Sequence, residues 1–143
     1  MTIRIATLAA LAAAALLSAC SGGSASGEAG IAEPPLETDV AKLDAALDCT
    51  EFTHPDKPPV LLVHGTFTSG YEQYDWTYLP LLDERGFDVC AVTYPDRGMG
   101  DQQISAEYVV NALRSIHAQT GRKVAMIGHS QGAGMPRGAL RWW

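Results

Sequence analysis

Between Pro59 and Gly128 the sequence alternates short apolar runs with amphipathic stretches, and this alternation constrains the fold more than any other feature. Three runs rich in apolar and β-branched residues predict strands, at 60–63, 87–94 and 123–128. Between them, two stretches with apolar residues at helical spacing predict helices, at 74–85 and 104–116. The resulting β-α-β-α-β order predicts a parallel sheet with helices on its faces, which is an α/β fold.

The N-terminal segment predicts export rather than folded structure. Arg4 precedes an apolar run at 5–17, which is shorter than the roughly 20 residues that a membrane-spanning helix needs. Together they predict a signal peptide over residues 1–19. The run closes with Leu-Ser-Ala-Cys, which resembles the lipobox of bacterial lipoproteins, so we expect Cys20 to carry a lipid after cleavage. An ordinary signal peptide with an incidental Cys20 is the alternative.

Residues 20–35 contain many glycines and serines and predict a flexible tether. The folded domain then spans residues 36–143 and begins with a short helix, predicted from the spacing of Leu36, Val40, Leu43 and Leu47. We therefore expect an exported protein, held at the outer face of a bacterial membrane through a lipid anchor or else secreted.

The charge and the cysteine content of the chain limit the binding partners and cofactors to be expected. The formal net charge is −6 and the chain has no basic patch, which argues against a nucleic-acid partner. With Cys20 assigned to lipid, Cys49 and Cys90 remain as an even pair in an oxidising compartment. Two buried free thiols are the alternative to a bridge. No cysteine or histidine spacing is typical of a metal site, and we expect no cofactor.

Residues 128–132 (GHSQG) match the motif G-x-S-x-G and lie directly between a predicted strand and a predicted helix. In such a turn the serine adopts a strained conformation, its neighbours must be small, and its hydroxyl is exposed above the sheet. Ser130 is therefore the candidate nucleophile, and Gly128, His129 and Gly132 form the rest of the turn. A second motif, HGTF at 64–67, ends the first predicted strand.

From about residue 36 to residue 143 the chain resembles the class 2 lipases and the fungal lipase B type of the α/β-hydrolase superfamily. The matching stretches are 43–49, 60–66, Cys90, 107–112 and 130–132. The resemblance implies an α/β-hydrolase fold, of which this chain would be the N-terminal part with three core strands. It also implies hydrolysis of carboxylic esters, with triacylglycerol-type lipids as substrates.

Carried over residue by residue, the resemblance implies three assignments. Ser130 is the nucleophile that forms an acyl-enzyme. Thr66 and Gln131 provide the oxyanion hole. Cys49 and Cys90 form a disulfide.

The catalytic triad is incomplete in the sequence. A serine hydroxyl needs a base, and in this fold the carboxylate and the histidine follow the serine in the chain. No Asp, Glu or His follows Ser130. We expect the side chain of His129 to point into the structure, His117 to lie on the surface, and Asp96 to be a turn carboxylate. The sequence thus predicts a truncated hydrolase that is inactive alone.

Rival functions remain open at this point. Cutinase-like polyester hydrolases and thioesterases share the same turn, and the residues present barely separate them from lipases. A different class is a non-catalytic, lipid-anchored lipoprotein on a degenerate hydrolase scaffold. The nucleotide sequence beyond the codon for Trp143 separates the two classes, because a frame encoding a downstream Asp and His favours the enzyme. The oligomeric state is not indicated.

Overall fold

The computed structural model describes residues 33–143; the predicted signal peptide, Cys20 and the tether up to residue 32 lie outside the described residues. Its elements, in chain order, are α1 (Val40–Asp44), β1 (Leu47–Cys49), β2 (Val60–Val63), α2 (Gly70–Tyr74), α3 (Tyr78–Glu84), β3 (Val89–Val92), a 3-10 turn (Pro95–Gly98), α4 (Gln102–Thr120), β4 (Ala125–Gly128) and α5 (Gln131–Trp142). None of the helices in this range is long and apolar enough to cross a membrane.

The described strands form one sheet in the order β1-β3-β2-β4. The three predicted strands pair in parallel, as expected from the alternation in sequence. The fourth strand, β1, was not predicted and pairs antiparallel with β3. Its register sets Cys49 directly opposite Cys90, and the two form a disulfide.

Both faces of the parallel strands are covered, which explains their unbroken apolar sequences. Every residue of β2 and β3 is buried. One face packs against α4 and α5 through Val109, Ile116 and Ala139, and the other packs against the α2–α3 region. Burial of one such side chain stabilises the fold by about 1.5 to 3 kcal/mol, so this two-sided core holds the sheet in place.

The prediction of one continuous helix over residues 74–85 is wrong. The chain forms two short helices, and Trp76 lies in the turn between them, 76% exposed. Pro80 explains the break, since its ring would clash with the carbonyl of Trp76 four residues earlier in a continuous helix. In the observed structure Pro80 lies in the first turn of α3, where a missing N–H is tolerated.

Helix α4 has defined ends and is longer than predicted. The Asp101 side chain accepts hydrogen bonds from the N–H groups of Gln103 and Ile104, so the helix begins at Gln102. At the other end Gly121 adopts a left-handed conformation with φ 66°, which confirms it as the helix stop.

The segment before α1 is tied to the rest of the fold. The buried carboxylate of Glu107 accepts hydrogen bonds from the N–H groups of Glu37 and Thr38, both at 2.8 Å. The Trp143 indole donates to the Pro34 carbonyl at 2.7 Å.

The helix predicted from Leu36 to Leu47 is limited to the five residues of α1, because the chain turns into β1 directly afterwards.

Candidate active site

Ser130 occupies a strained turn between β4 and α5. Its backbone angles are φ 54° and ψ −121°, and a positive φ is costly for a residue with a side chain. The strand ends at Gly128 and the helix begins at Gln131, as the motif predicts. Ser130 is exposed, which leaves its hydroxyl accessible from solvent.

The two motif glycines are required by close backbone approaches. A Cβ atom on Gly128 would overlap the carbonyl group of Gly132. A Cβ atom on Gly132 would overlap the carbonyl oxygens of Val63 and His64 at the end of β2. The spacing G-x-S-x-G therefore follows from packing the turn onto itself and onto the neighbouring strand.

The loop after β2 lies beside this turn. A Cβ atom on Gly65 would lie 3.2 Å from Ser130 Cβ and 3.1 Å from His129 Nδ1. The Thr66 hydroxyl donates to Gln131 Oε1 at 3.3 Å, so the two predicted oxyanion-hole residues are in direct contact. Gln131 Nε2 in turn donates to the Gly98 carbonyl at 2.8 Å.

Two backbone N–H groups at this junction are available to a ligand. Within residues 33–143, neither the N–H of Thr66 nor that of Gln131 has a hydrogen-bond acceptor. A cavity of about 310 Å³ opens along α5 beside Ser130 and is lined by Ser130, Gln131 and Met135, with Trp142 on its wall. An oxygen that develops negative charge near Ser130 is the kind of ligand that such donors bind.

His64 is buried beneath the loop and is held neutral. Its Nδ1 donates to the Gly65 carbonyl at 2.7 Å, and its Nε2 accepts from the Tyr94 N–H at 3.3 Å. The ring stacks on Tyr94 with 3.9 Å between centroids. Burial lowers the pKa of His64, in agreement with this arrangement of one donor and one acceptor. His64 therefore supports the loop and is not oriented as a base.

The other histidines are also engaged elsewhere or face solvent. His54 contacts Asp88, and His117 Nδ1 donates to the Arg122 carbonyl at 2.9 Å on the surface, where it was expected. The expectation that His129 points into the structure is wrong, since His129 is exposed. The reason is that β4 is an edge strand of the described sheet. Among the described residues, no histidine hydrogen-bonds to the Ser130 hydroxyl.

Sequence reasoning missed the residues that hold the loop around Thr66. The Gly65 N–H donates to Gln73 Oε1 at 2.9 Å, and the Phe67 N–H donates to the Arg97 carbonyl at 2.7 Å. Asp96 lies in the 3-10 turn and is exposed, as expected for a turn carboxylate. No spacing in the sequence marks Gln73 or Arg97, because their contacts depend on how two separate loops meet.

The strand-to-helix turn, the parallel sheet and the loop at the end of β2 together define a hydrolase-type fold. The family profile described as "Alpha/beta hydrolase family" matches residues 60–140, which is more than half of the chain. The chain belongs to the alpha/beta hydrolase family.

Particular relatives are lipases. The chain is 32% identical over 102 residues to lipase B of Pseudozyma antarctica, covering 70% of this chain and 30% of that protein. The crystal structure of Aspergillus fumigatus lipase B superposes with a TM-score of 0.71 at 30% identity, covering 78% of this chain and 27% of that one. A Bacillus licheniformis lipase in its mature form gives a TM-score of 0.57 at 28% identity, covering 66% of this chain and 39% of that one. The chain thus spans about a third of the length of the lipases that it matches.

Proposed function

We propose that the chain is part of a serine carboxylic ester hydrolase, a lipase or esterase acting on triacylglycerol-type substrates. In this proposal Ser130 attacks the ester carbonyl and forms an acyl-enzyme. The observation that carries the proposal is the strained backbone of Ser130 at the strand-to-helix turn. Such strain costs about 1 to 3 kcal/mol and persists where it serves a site. The similarity to fungal and bacterial lipases supports the same reaction class.

The free N–H groups of Thr66 and Gln131 are the proposed oxyanion hole. When Ser130 Oγ bonds to the carbonyl carbon, the carbonyl oxygen becomes an alkoxide that needs donors already in place. Loss of one such donor typically costs about 2.7 to 4 kcal/mol of transition-state stabilisation. The contact between the Thr66 hydroxyl and the Gln131 side chain supports this pairing, because it keeps the two residues together.

The proton of Ser130 needs a base that none of the described histidines provides. We therefore propose that residues 1–143 alone hydrolyse esters barely above background, and that full turnover needs a carboxylate and a histidine downstream of Ser130. Enzymes that lack triad members but keep a folded site retain a residual acceleration of order 10³ to 10⁴ over water, from the oxyanion hole and binding. Residues 1–143 reach that level only if both are fully formed in the chain alone.

The test compares two proteins on a short-chain p-nitrophenyl ester. One is the chain 1–143, and the other is this chain extended beyond Trp143 by a segment that supplies the remaining strands of the sheet with a downstream Asp and His. We expect turnover in the extended protein that disappears in Ser130→Ala and persists in Ser115→Ala, a matched serine on α4. Turnover that survives Ser130→Ala would contradict the proposal. Inactivity of a folded extended protein would favour the non-catalytic scaffold, and robust turnover by 1–143 would show that it has its own base.

We also propose that the protein is exported and anchored through a lipid on Cys20. Peptide mapping of protein from a bacterial host should then lack the unmodified N-terminal peptide that contains Cys20. Recovery of that peptide with a free thiol would favour an ordinary signal peptide and a secreted protein.

A further inference from the structure

The oxyanion loop, residues 64–67, makes reciprocal contacts with the turn at Pro95–Gly98. The Phe67 N–H donates to the Arg97 backbone carbonyl at 2.7 Å. In the opposite direction, Arg97 Nε donates to the Phe67 carbonyl at 3.1 Å, and Nη2 donates to the same oxygen. Arg97 Nη1 then donates to Glu72 Oε1 at 2.8 Å, so α2 holds the far side of the guanidinium.

Both partners of this contact have strained backbones. Phe67 has φ 67°. On the other side of the contact, Asp96 has φ 53° and Arg97 has φ 52°. Bulky residues adopt a positive φ only where surrounding contacts enforce it. The hydrogen bonds between Phe67 and Arg97 are those contacts, because they join the two strained segments directly.

The hydrogen bonds between Phe67 and Arg97, together called the clamp, act on the peptide groups that flank Thr66. The described chain has no cis peptide bond, so in each peptide unit the C=O and N–H point in opposite directions. His64 binds the Gly65 carbonyl from the buried side, which directs the Thr66 N–H the other way. The backbone carbonyl of Arg97 accepts from the Phe67 N–H of the next unit, and the Arg97 guanidinium holds the Phe67 carbonyl in the unit after it. The orientation of the Thr66 N–H is thus set from both sides.

We propose that Arg97 is a positioning residue of the oxyanion hole, acting through Phe67 on the Thr66 N–H, with Glu72 orienting its guanidinium. This inference rests on the proposed function of Ser130. The hydrogen bond and the positive charge of Arg97 hold the pKa of the Glu72 carboxyl below its ordinary value, so Glu72 stays ionised and paired at neutral pH.

The experiment measures covalent labelling of Ser130 in the full chain by a p-nitrophenyl alkylphosphonate at alkaline pH. Ser130 Oγ forms the bond to phosphorus, p-nitrophenolate leaves, and solvent base takes the serine proton. The phosphoryl oxygen becomes the anionic ligand of the hole. Release of p-nitrophenolate gives the rate, and peptide mass spectrometry locates the label.

The variant Arg97→Met keeps the length of the side chain but removes its donors. We expect it to slow Ser130 labelling by about 10- to 100-fold, the order of effect of a displaced catalytic group. Arg97→Lys should recover part of the rate, because an ammonium keeps the ion pair without the planar fork. Glu72→Gln should slow labelling less, since the guanidinium still reaches the Phe67 carbonyl.

The matched control is Arg114→Met. Arg114 is 46% exposed and pairs with Glu33, much as Arg97 is 51% exposed and pairs with Glu72, but it lies on α4 away from the loop. We expect Arg114→Met to label at the parent rate. Both methionine variants should keep the thermal midpoint of the parent, which separates positioning from loss of fold.

Hydrogen exchange supplies a second readout that does not depend on reaction. Arg97→Met should speed amide exchange in the peptide spanning 64–69, and Arg114→Met should leave it unchanged. Parent rates of both labelling and exchange in Arg97→Met would overturn the inference. If the unaltered chain does not label at Ser130, exchange alone decides the inference, and unchanged exchange at 64–69 in Arg97→Met overturns it. The proposed function is decided separately, by the Ser130-dependent turnover of the extended protein.

Discussion

The two ends of the parallel sheet differ in their backbone strain and in how their polar groups are paired. At the carboxyl end lie all of the non-glycine residues with positive φ in the described chain: Phe67, Asp96, Arg97 and Ser130. At the amino end the buried Asp88 accepts hydrogen bonds from Thr53 N, His54 N, the His54 ring and Arg122, without any such strain. At the carboxyl end the N–H groups of Thr66 and Gln131 have no acceptor among the described residues, and at the amino end both oxygens of Asp88 accept hydrogen bonds. The comparison shows that the backbone strain of this fold lies at the carboxyl end of the sheet and that a stabilising buried ion pair lies at the amino end.

The amino-end cluster links three segments around one carboxylate. Arg122 also donates to the carbonyls of His54 and Lys57, both at 2.6 Å, so it joins the loop before β2 to the start of β4. Burial disfavours the charged form of Asp88, but the hydrogen bonds from Arg122, His54 and Thr53 outweigh it and lower its pKa. Asp88 therefore stays ionised and paired.

The largest effect is expected at the carboxyl end, from Gly132→Ala. The new Cβ would overlap the carbonyl oxygens of Val63 and His64, which are backbone atoms at the buried end of β2 and directly after it and cannot move aside. We expect a loss of more than about 3 kcal/mol in unfolding free energy, above the usual range for overpacking. The matched control is Gly134→Ala on the same helix, where a Cβ meets no atom within 4 Å. Urea denaturation should show Gly134→Ala as stable as the parent or more so.

At the amino end, Asp88→Asn should destabilise the fold by about 2 to 3 kcal/mol. Removal of one partner from a buried ion pair typically costs 3 to 5 kcal/mol, and asparagine keeps one oxygen as an acceptor. Asp88 is fully buried and Arg122 is 20% exposed, so solvent cannot replace the lost charge completely. Asp83→Asn, at an exposed position on α3, is the control for urea denaturation. Equal midpoints for the two variants would refute a stabilising role for the cluster.

A smaller change of opposite sign is expected for Ser130→Gly. Glycine adopts a positive φ without penalty, so the variant should raise the unfolding free energy by about 1 kcal/mol while removing the nucleophile. Ser115→Gly, within helix α4, should instead lower stability by about 0.5 to 1 kcal/mol. Destabilisation by Ser130→Gly in the same calorimetric scan would mean that the serine side chain supports the turn.

The two ends should also differ, more modestly, in their response to acid. The folded pKa of His64 lies below the unfolded value of about 6.5, so its contribution to stability is present above that pH and is lost as the pH falls through the folded value. The folded pKa of Asp88 lies below the unfolded value of about 3.9, so its contribution is lost only at still lower pH. The unfolding free energy measured from pH 7 to pH 2 should therefore fall in two steps, one below about pH 6.5 and one below about pH 3.9. His64→Gln should reduce the step at higher pH, and Asp88→Asn should reduce the step at lower pH.

Sequence reasoning predicted the elements whose cause is local. The apolar run Val60–Val63 forms the strand that was predicted for it, and Gly121 ends α4. Strand β1 was missed because its three residues carry no alternation, and its pairing with β3 is a tertiary effect. The helix break at Pro80 was present in the sequence and was underweighted.

The candidate site divides in the same way. The motif around Ser130 is a short-range signal, and the structure brings Thr66 into contact with Gln131. It stays a prediction that the N–H groups of these two residues donate hydrogen bonds to an oxyanion. Arg97 and Gln73 were not predicted, since their roles arise only when two loops meet in three dimensions.

The disulfide has a topological consequence. Joining Cys49 to Cys90, with a sequence separation of 41, closes a covalent ring that contains β2, the oxyanion loop and helices α2 and α3. Glu72 and Gln73 lie inside the same ring as the loop they support, so one covalent link closes around the loop and its supporting residues. On the chain-entropy view a ring of this size restrains the unfolded state by roughly 4 kcal/mol. The disulfide therefore favours the folded state of the whole domain by restricting the part of the unfolded chain that includes Thr66, Glu72 and Gln73.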